Sequence, residues 1–361
     1  MGTVELKKGI YWVGAIDWNI RIFHGYDTPE GTTYNAYLIV DDKIALIDTV
    51  KAPFFEEMVQ RVEEIIPFNK IDYHISNHVE MDHSGSLPRT MELAPQATIV
   101  TSERGKKGLT RYYKKDWPFQ TVKSGDTLNL GKRQLSFLEI PMVHWPDSMV
   151  SYCPGEKILF SNDAFGQHLA TSQRFDDEIG WEVIYPEAAT YFANIVLHVG
   201  GPVLKALDAA KGLQLDMIAP SHGVVYPRPA FILDAYREWV SDRTGNLALI
   251  PFVSMHGSTR EMVEHLTGAL IRQGITVIPC NMIHTDIGEL AKELETLRSE
   301  AAERSAQLEA AHATENRLHR DLAAANTRQT ELAAELETAG QREAETQARF
   351  DAQAGGGAFG P

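Results

Sequence analysis

Two histidines and two acidic residues fall within six positions of one short segment of this 361-residue chain. They are His78, Glu80, Asp82 and His83, which follow an apolar run over residues 71–75 and precede a turn rich in Gly and Ser. This context predicts a loop at the end of a β-strand, where side chains can converge on one point. Imidazoles and carboxylates concentrated in this way favour a metal-binding site over a solvated acidic loop with chance histidines.

Three more candidate ligands lie at the ends of other predicted strands. His144 follows one strand, Asp163 ends a second, and His222 lies in a Pro-Ser-His-Gly segment that ends a third. One edge of a sheet could therefore gather all of them. Three carboxylates and a bridging hydroxide would nearly neutralise two divalent ions, so the set indicates a two-metal centre. The candidate metal ligands are His78, Glu80, Asp82, His144, Asp163 and His222.

Residues 1–245 are predicted to form one mixed α/β domain that positions these side chains. β-Branched runs predict a hairpin over residues 34–48, and apolar residues at helical spacing predict a helix from Phe54 to Ile66. The other predicted elements are strands at Ala97–Thr101, Lys157–Ser161 and Met217–Ala219, a hairpin-rich region from Gly125 to Ile140, and a helix from Ala188 to about Lys211.

Two further units follow this domain. Residues 246–286 read as a strand, a loop, a helix from Thr259 to Gln273 and a second strand, which is one half of a doubly wound nucleotide-binding fold. Residues 287–352 keep an unbroken heptad spacing, which predicts a long helix with a coiled-coil seam. Residues 353–361 are rich in Gly and are predicted to be a flexible tail.

Bulk composition excludes several classes of function. The net charge of −15 argues against binding to nucleic acid or to an anionic membrane surface. No window approaches 18 apolar residues, so no membrane span is expected. The first residues lack a basic segment followed by an apolar one, and Cys153 and Cys280 form no C-x-x-C motif. We therefore expect a cytoplasmic protein with two free thiols.

The ligand segments resemble a known family. The order of ligands resembles the metallo-β-lactamase fold, an αββα sandwich whose zinc hydrolases usually show H-x-H-x-D-H. Here Glu80 stands where the second His belongs, as in the flavodiiron proteins, which reduce dioxygen or nitric oxide. The segments 28–35, 46–51, 144–149 and 255–259 resemble the same family. A carboxylate in place of an imidazole also makes the site harder and more anionic, which favours iron or manganese over zinc.

The resemblance implies a role for each residue. His78, Glu80 and His144 would hold one iron, Asp82 and His222 the other, and Asp163 would bridge them. His83 is expected to hydrogen-bond to the ligands without being one, as the corresponding residue usually does in the family. The expected pocket residues are His83, His24, Trp145 and His168.

The resemblance also implies the reaction and its partners. A diiron centre would reduce O2 to water or NO to N2O with electrons from FMN. The FMN would be reduced by a rubredoxin-like carrier or a flavin reductase. The family pattern is a homo-oligomer, a head-to-tail dimer or a tetramer, in which the FMN of one subunit lies beside the irons of its partner.

The flavin module departs from the family after about residue 294. A flavodoxin-like domain needs a third strand and later loops that grip the isoalloxazine ring, and heptads stand in their place. A two-stranded fragment is unstable by itself, so we expect no tight binding of FMN. The candidates for an FMN-phosphate site at the start of the helix are Ser254, His256, Gly257, Ser258 and Thr259.

Three alternatives to a gas reductase follow from the same residues. A non-catalytic diiron protein could bind O2 or NO as a sensor, with the heptad helix carrying the signal. A zinc hydrolase could use the same fold, although Glu80 argues against it. The heptads could also be the working part, as a scaffold or oligomerisation device.

Overall fold

The structure is a computed structural model, and it describes residues 2–241 and 246–284 together with residues 346, 348 and 349. The predicted heptad helix over residues 287–352 and the tail over 353–361 otherwise lie outside the described residues. None of the helices among the described residues is both long enough and apolar enough to cross a membrane.

Most of the described chain is organised by β-strands. The strands are β1 Val4–Lys7, β2 Ile10–Trp12, β3 Ala15–Asp17, β4 Ile22–Phe23, β5 Tyr26–Asp27, β6 Thr32–Tyr34, β7 Tyr37–Ile39, β8 Ala45–Ile47, β9 Tyr73–Ile75, β10 Thr98–Ser102, β11 Phe119–Val122, β12 Thr127–Asn129, β13 Gln134–Glu139, β14 Met149–Cys153, β15 Ile158–Asn162, β16 Met217–Pro220, β17 Leu247–Phe252 and β18 Thr276–Asn281.

Helices connect and cover these strands. The α-helices are α1 Phe55–Glu63, α2 Met81–Ser84, α3 Leu87–Leu93, α4 Glu103–Tyr113, α5 Trp181–Tyr191, α6 Gly200–Ala210, α7 Ala230–Trp239 and α8 Ser258–Arg272. Short 3-10 turns lie at Ala52–Phe54, Phe68–Lys70, Asp176–Glu178 and Leu197–Val199, and a π-helical turn at Phe192–Val196.

The strands form two main sheets. One has seven strands in the order β1-β2-β7-β8-β9-β10-β11, and the other has five in the order β12-β13-β14-β15-β16. The first sheet is antiparallel from β1 to β8 and parallel from β8 to β11. In the second sheet only the pair β15 and β16 is parallel.

The alternation of side chains along single strands explains the layers. In β8, Ala45 and Ile47 join the core between the two sheets, whereas Leu46 joins the core under α1, α3 and α4. In β15, Phe160 faces the core between the sheets and Leu159 faces the core under α5, α6 and α7. Because successive residues of a strand point to opposite faces, both sheets are covered on both sides. The predicted α/β fold with an αββα sandwich is therefore confirmed.

Two local predictions were wrong. The helix predicted from Ala188 to Lys211 is interrupted by the π-helical and 3-10 turns at residues 192–199, and a new helix begins at Gly200. Gly200 and Gly201 are poor helix formers, and Pro202 is tolerated in a first helical turn but not within a helix. The candidate ligand segment is also not wholly a loop, because Asp82 lies on the short helix α2.

The second predicted unit has the expected order of elements. β17 pairs in parallel with β18, and α8 connects them. The loop before α8 is held by Ser254, whose Oγ accepts hydrogen bonds from the backbone N–H of Gly257 (3.2 Å) and of Arg260 (3.3 Å).

Candidate metal centre

The candidate ligands lie at one edge of the two sheets because the strands that carry them end there. His78 comes three residues after the end of β9 in the seven-stranded sheet. Asp163 directly follows β15, and His222 lies two residues after β16, in the five-stranded sheet. His144 lies in the connection between β13 and β14. The side chains therefore come from both sheets and meet across the core.

A buried carboxylate next to the site ties the two sheets together. Asp48, after β8, accepts hydrogen bonds from the backbone N–H of Asn77 (2.8 Å) and from the side-chain amide of Asn162 (3.1 Å). Ser151 of β14 donates to the side-chain oxygen of Asn77 at 2.7 Å. These bonds fix the start of the His78 segment against the strand that leads to Asp163.

One group of ligand atoms is formed by His78, Glu80, His144 and Asp163, which all lie within 4.8 Å of one another. Glu80 Oε2 lies 3.4 Å from His78 Nε2 and 3.3 Å from His144 Nε2. Asp163 Oδ2 lies 3.4 Å from His144 Nε2 and 3.7 Å from His78 Nε2. Two imidazoles and two carboxylates thus surround one small volume.

A second group lies on the other side of Asp163. His222 Nε2 lies 3.1 Å from Asp82 Oδ2 and 3.4 Å from Asp163 Oδ1. His83 Nε2 also approaches Asp163 Oδ1, at 2.9 Å. The two oxygens of Asp163 therefore face the two groups separately, which is the geometry of a carboxylate between two cations.

The polar atoms that face this volume have no hydrogen-bond partners. They are Nε2 of His78, His83, His144 and His222, Oε2 of Glu80, both carboxylate oxygens of Asp82, and Oδ2 of Asp163. A buried polar atom without a partner costs about 1–3 kcal/mol, so a natural protein seldom gathers this many. Their lone pairs fit a pair of bound metal ions, which would satisfy them together.

The pKa shifts of these side chains point the same way. Burial lowers the pKa of each histidine, but the carboxylates of Asp163 and Glu80 outweigh it and raise the pKa of His144 to about 9. Asp163 and Asp82 likewise raise the pKa of His222 to about 10 against the effect of burial. Burial would raise the pKa of Glu80, but His144 and His78 lower it to about 2. The pKa shift of Glu80 therefore favours the ionised carboxylate, which is the form that binds a cation.

Two histidines are oriented by hydrogen bonds from their far ring nitrogens. His78 Nδ1 donates to Asp147 Oδ2 at 2.9 Å, and His222 Nδ1 donates to the backbone carbonyl of Thr33 at 2.7 Å. Because each bond holds the proton of the neutral ring on Nδ1, the Nε2 atom that faces the centre would be free to bind a metal. Neither partner was predicted from the sequence. Asp147 lies three residues after His144 in the same segment, and this spacing could have indicated its role. The Thr33 carbonyl belongs to the backbone, so nothing in the sequence indicates its role.

The predicted pocket residues occupy different distances from the centre. His24 Nε2 lies 3.8 Å from both Glu80 Oε1 and Asp82 Oδ2. His168 lies one step further out, with Nε2 at 3.2 Å from His24 Nδ1 and Nδ1 at 2.8 Å from the hydroxyl of Thr32.

Two aromatic residues complete the surroundings. The Trp145 ring meets the His78 ring edge-on, with centroids 5.1 Å apart. Tyr191, which sequence reasoning missed, places its hydroxyl 3.3 Å from Asp163 Oδ1 and donates to it. It lies on the long helical segment after Asp163, and no spacing in the sequence indicates its orientation.

The centre opens to solvent on one side. The side chain of Glu80 is 23 % exposed and that of His144 is 11 % exposed, whereas His78, Asp82, Asp163 and His222 are almost fully buried. A small molecule that enters from this side meets the His78–Glu80–His144 group first.

The candidate phosphate-binding residues lie apart in the second unit. Ser254 Oγ is already an acceptor for the loop that it caps, and α8 begins at Ser258 and Thr259. His256 and Gly257 lie in the exposed loop before the helix.

Comparison with known proteins gives the family. The model of the ODP family beta lactamase matches residues 32–223. A nitric oxide reductase from Moorella thermoacetica is 44 % identical over 297 residues, which cover 81 % of this chain and 74 % of that protein.

Solved structures agree with this match. The rubredoxin oxygen:oxidoreductase from the anaerobe Desulfovibrio gigas is similar with a TM-score of 0.78 at 39 % identity, over 81 % of this chain and 75 % of that one. The flavodiiron protein from Giardia intestinalis has a TM-score of 0.76 at 36 % identity, over 81 % and 72 % of the two chains. This chain therefore belongs to the flavodiiron protein family.

Proposed function

We propose that this protein is an oxidoreductase that reduces O2 to water, NO to N2O, or both, at a centre of two irons. The observation that carries the proposal is the convergence of unpartnered imidazole and carboxylate atoms on the two sides of Asp163. The relatives named nitric oxide reductase and rubredoxin oxygen:oxidoreductase support reductive chemistry over hydrolysis.

We assign the ligands from this arrangement. His78, Glu80 and His144 would hold one iron and Asp82 and His222 the other, with Asp163 shared between them, as in the family pattern. The proximity of the atoms of His78, Glu80, His144 and Asp163 supports the first half of the assignment. The 3.1 Å between His222 Nε2 and Asp82 Oδ2 supports the second. Glu80 supplies a hard anionic ligand, which favours iron over zinc and stabilises its oxidised state. When bound, the two irons supply electrons to the diatomic substrate.

The remaining residues hold the ligands in place. Asp147 and the Thr33 carbonyl orient His78 and His222 by the hydrogen bonds described above. We propose that His83 pairs with the Asp163 carboxylate rather than binding a metal, and the 2.9 Å between His83 Nε2 and Asp163 Oδ1 supports that role. Tyr191 donates to the same carboxylate, so Asp163 is held from two directions.

We propose that an anionic electron carrier, of the rubredoxin-like or flavin reductase type, docks beside the centre. A groove of about 680 Å³ lies between α4 and the segment that carries Trp145. Its wall includes four basic side chains and one acidic one, Asp147, in a chain whose net charge is −15. The basic residues are Arg104, Lys107, Arg111 and Lys114. Charge complementarity of this kind speeds the encounter of proteins of opposite charge.

The organisation of the chain completes the proposal. We propose a metallo-β-lactamase-like domain over residues 1–245, an incomplete flavodoxin-like segment over 246–286, a coiled-coil-like helix over 287–352 and a flexible tail over 353–361. The protein would be a cytoplasmic homo-oligomer, a head-to-tail dimer or a tetramer. Any FMN held by residues 254–259 would bind weakly. Measurement of the molecular mass by light scattering tests the proposed oligomeric state.

A single-turnover experiment tests the proposed activity. The purified protein is loaded with Fe(II) without oxygen and mixed with NO or with O2. We expect one N2O for each pair of irons with no added flavin. Because reduction of O2 to water takes four electrons and each pair of irons supplies two, we expect one O2 to be consumed for every two pairs. The Asp163→Asn variant serves as a control in which the bridging charge is removed. A protein that binds two irons per chain but consumes neither gas would contradict the proposal and favour a sensor.

A further inference from the structure

An apolar cavity lies behind the metal centre, on the face of the five-stranded sheet that α6 and α7 cover. It encloses about 40 Å³ of free space. Among the described residues that line it, only Tyr236 carries a polar side-chain group, and the Tyr236 hydroxyl already accepts a hydrogen bond from the backbone N–H of Phe165 at 2.9 Å. A cavity of this size with no free polar partner in its side chains stays dry and suits a small apolar guest.

The inner end of the cavity is built from the segments that carry two of the candidate ligands. Val143, which directly precedes His144, and Ala164, which directly follows Asp163, both line it. Val143 and His144 are adjacent in the chain, as are Asp163 and Ala164, so the cavity wall and the metal centre share these two stretches of backbone. A guest in the cavity is thus separated from the centre by a single layer of chain.

The outer end of the cavity reaches a second pocket that meets solvent. Leu207, Ala210 and Leu213 line both the cavity and an outer pocket of about 270 Å³. The outer pocket is also lined by Lys211 and Arg237, which are exposed charged residues. The two spaces therefore adjoin at α6, and only these shared apolar side chains separate the cavity from the outer pocket among the described residues that line both.

We propose that this cavity binds an apolar diatomic gas and delivers it to the metal centre past Val143 and Ala164. The inference rests on the proposed function, because O2 and NO are the substrates that such a cavity would concentrate. Both are small and uncharged, and they partition from water into apolar space, which the polar mouth does not offer. The cavity would thus raise the local concentration of substrate beside the irons.

Xenon is a direct probe of the binding half of the proposal. Crystals of the full-length protein are pressurised with xenon, and the expected result is a xenon peak between Val150, Leu159 and Leu207. Absence of xenon from this cavity would overturn the proposal. The measurement needs neither metal nor activity, so it is independent of the proposed function.

Two matched variants test delivery. Leu207→Trp fills the cavity, whereas Leu204→Trp places the same side chain on the same helix at a position that is 44 % exposed and does not line it. We expect Leu207→Trp to lose xenon and to slow the reaction of NO with the reduced, iron-loaded protein about fivefold, the effect of roughly 1 kcal/mol added to the entry barrier. Leu204→Trp should leave both unchanged.

The possible failures are distinguishable. If Leu207→Trp folds and binds iron but reacts with NO as fast as the wild type, the delivery role is wrong. If Leu207→Trp does not fold, Ala206→Leu narrows the same cavity with a smaller change and is judged by the same criteria. If the wild type itself binds no iron, the proposed function is wrong, and the proposed delivery of gas to the irons is wrong with it. Xenon binding still decides whether the cavity accepts a gas.

Discussion

Replacement of Asp147 should weaken metal binding although Asp147 is not among the candidate ligands. Its Oδ2 atom accepts from His78 Nδ1 at 2.9 Å and from the backbone N–H of Val79 at 2.9 Å. The first bond fixes the His78 ring so that Nε2 faces the centre, and the second fixes the backbone that leads to Glu80. Asp147→Ala removes both bonds, whereas Asp147→Asn can keep them as neutral hydrogen bonds.

The size of the effect follows from the bond that is lost. A hydrogen bond to a charged group contributes about 1.5–3 kcal/mol. Since 1.4 kcal/mol is a factor of ten, loss of the His78–Asp147 bond should lower metal affinity about 10- to 100-fold, as for other partners of metal-bound histidines. Asp147→Asn removes only the charge and should lie at the low end of this range.

Anaerobic titration of the metal-free protein with Fe(II) against a chelator measures the affinity. Asp41→Ala is the matched control, because Asp41 also accepts backbone hydrogen bonds, from Lys132 (3.2 Å) and Arg133 (2.7 Å), in a loop that does not contribute to the centre. Both alanine variants should lose stability, and only Asp147→Ala should lose metal. If Asp147→Ala binds iron within twofold of the wild type, or if Asp41→Ala weakens binding equally, the orienting role is wrong.

Three further outcomes are expected. Glu80→His should shift the metal preference of the site from iron towards zinc and abolish gas reduction, because it restores the imidazole of the zinc hydrolases. Elemental analysis of protein from cells grown with both metals measures the shift. An unchanged iron content would count against the role of Glu80. Burial of the Asp176 carboxylate raises its pKa to about 6 in the folded protein. The folded protein therefore binds this proton more tightly than the unfolded chain does, and the free energy of unfolding falls as pH rises through 6. Asp176→Asn should therefore be more stable than the wild type at pH 8, by at most about 3 kcal/mol, and nearly equal to it near pH 4. Thermal melting at both pH values tests this, and an equal gain at both would refute it. The double variant Lys107→Glu/Arg111→Glu should be reduced more slowly by an anionic carrier, and the rate should lose most of its dependence on salt, while the iron content stays the same. Stopped-flow spectroscopy measures the rate. An unchanged rate would place the docking surface elsewhere.

Much of the site could be predicted from the sequence because it is built from local signals. Each candidate ligand lies in a segment that follows a strand, and such segments at one edge of a sandwich converge whatever the details of packing. The structure accordingly brings His78, Glu80, Asp82, His144, Asp163 and His222 together from both sheets.

The orienting partners could not be predicted in the same way. Thr33 contacts His222 through a backbone carbonyl, which has the same chemistry in every residue, so the sequence carries no trace of it. Tyr191 is the last residue of α5, directly before the π-helical turn, and its hydroxyl reaches Asp163 through the packing of that helix against the sheet. Such contacts depend on how elements pack, which periodicity does not encode.

The metal content of the purified protein tests the central claim most directly. The full-length chain is produced in cells grown with both iron and zinc, purified without oxygen and without added metal, and analysed for both elements per chain. The arrangement of ligands with Glu80 beside His78 and His144 predicts two irons and little zinc. Two zinc ions and no iron would contradict it, and with it the assignment of this protein to reductive chemistry.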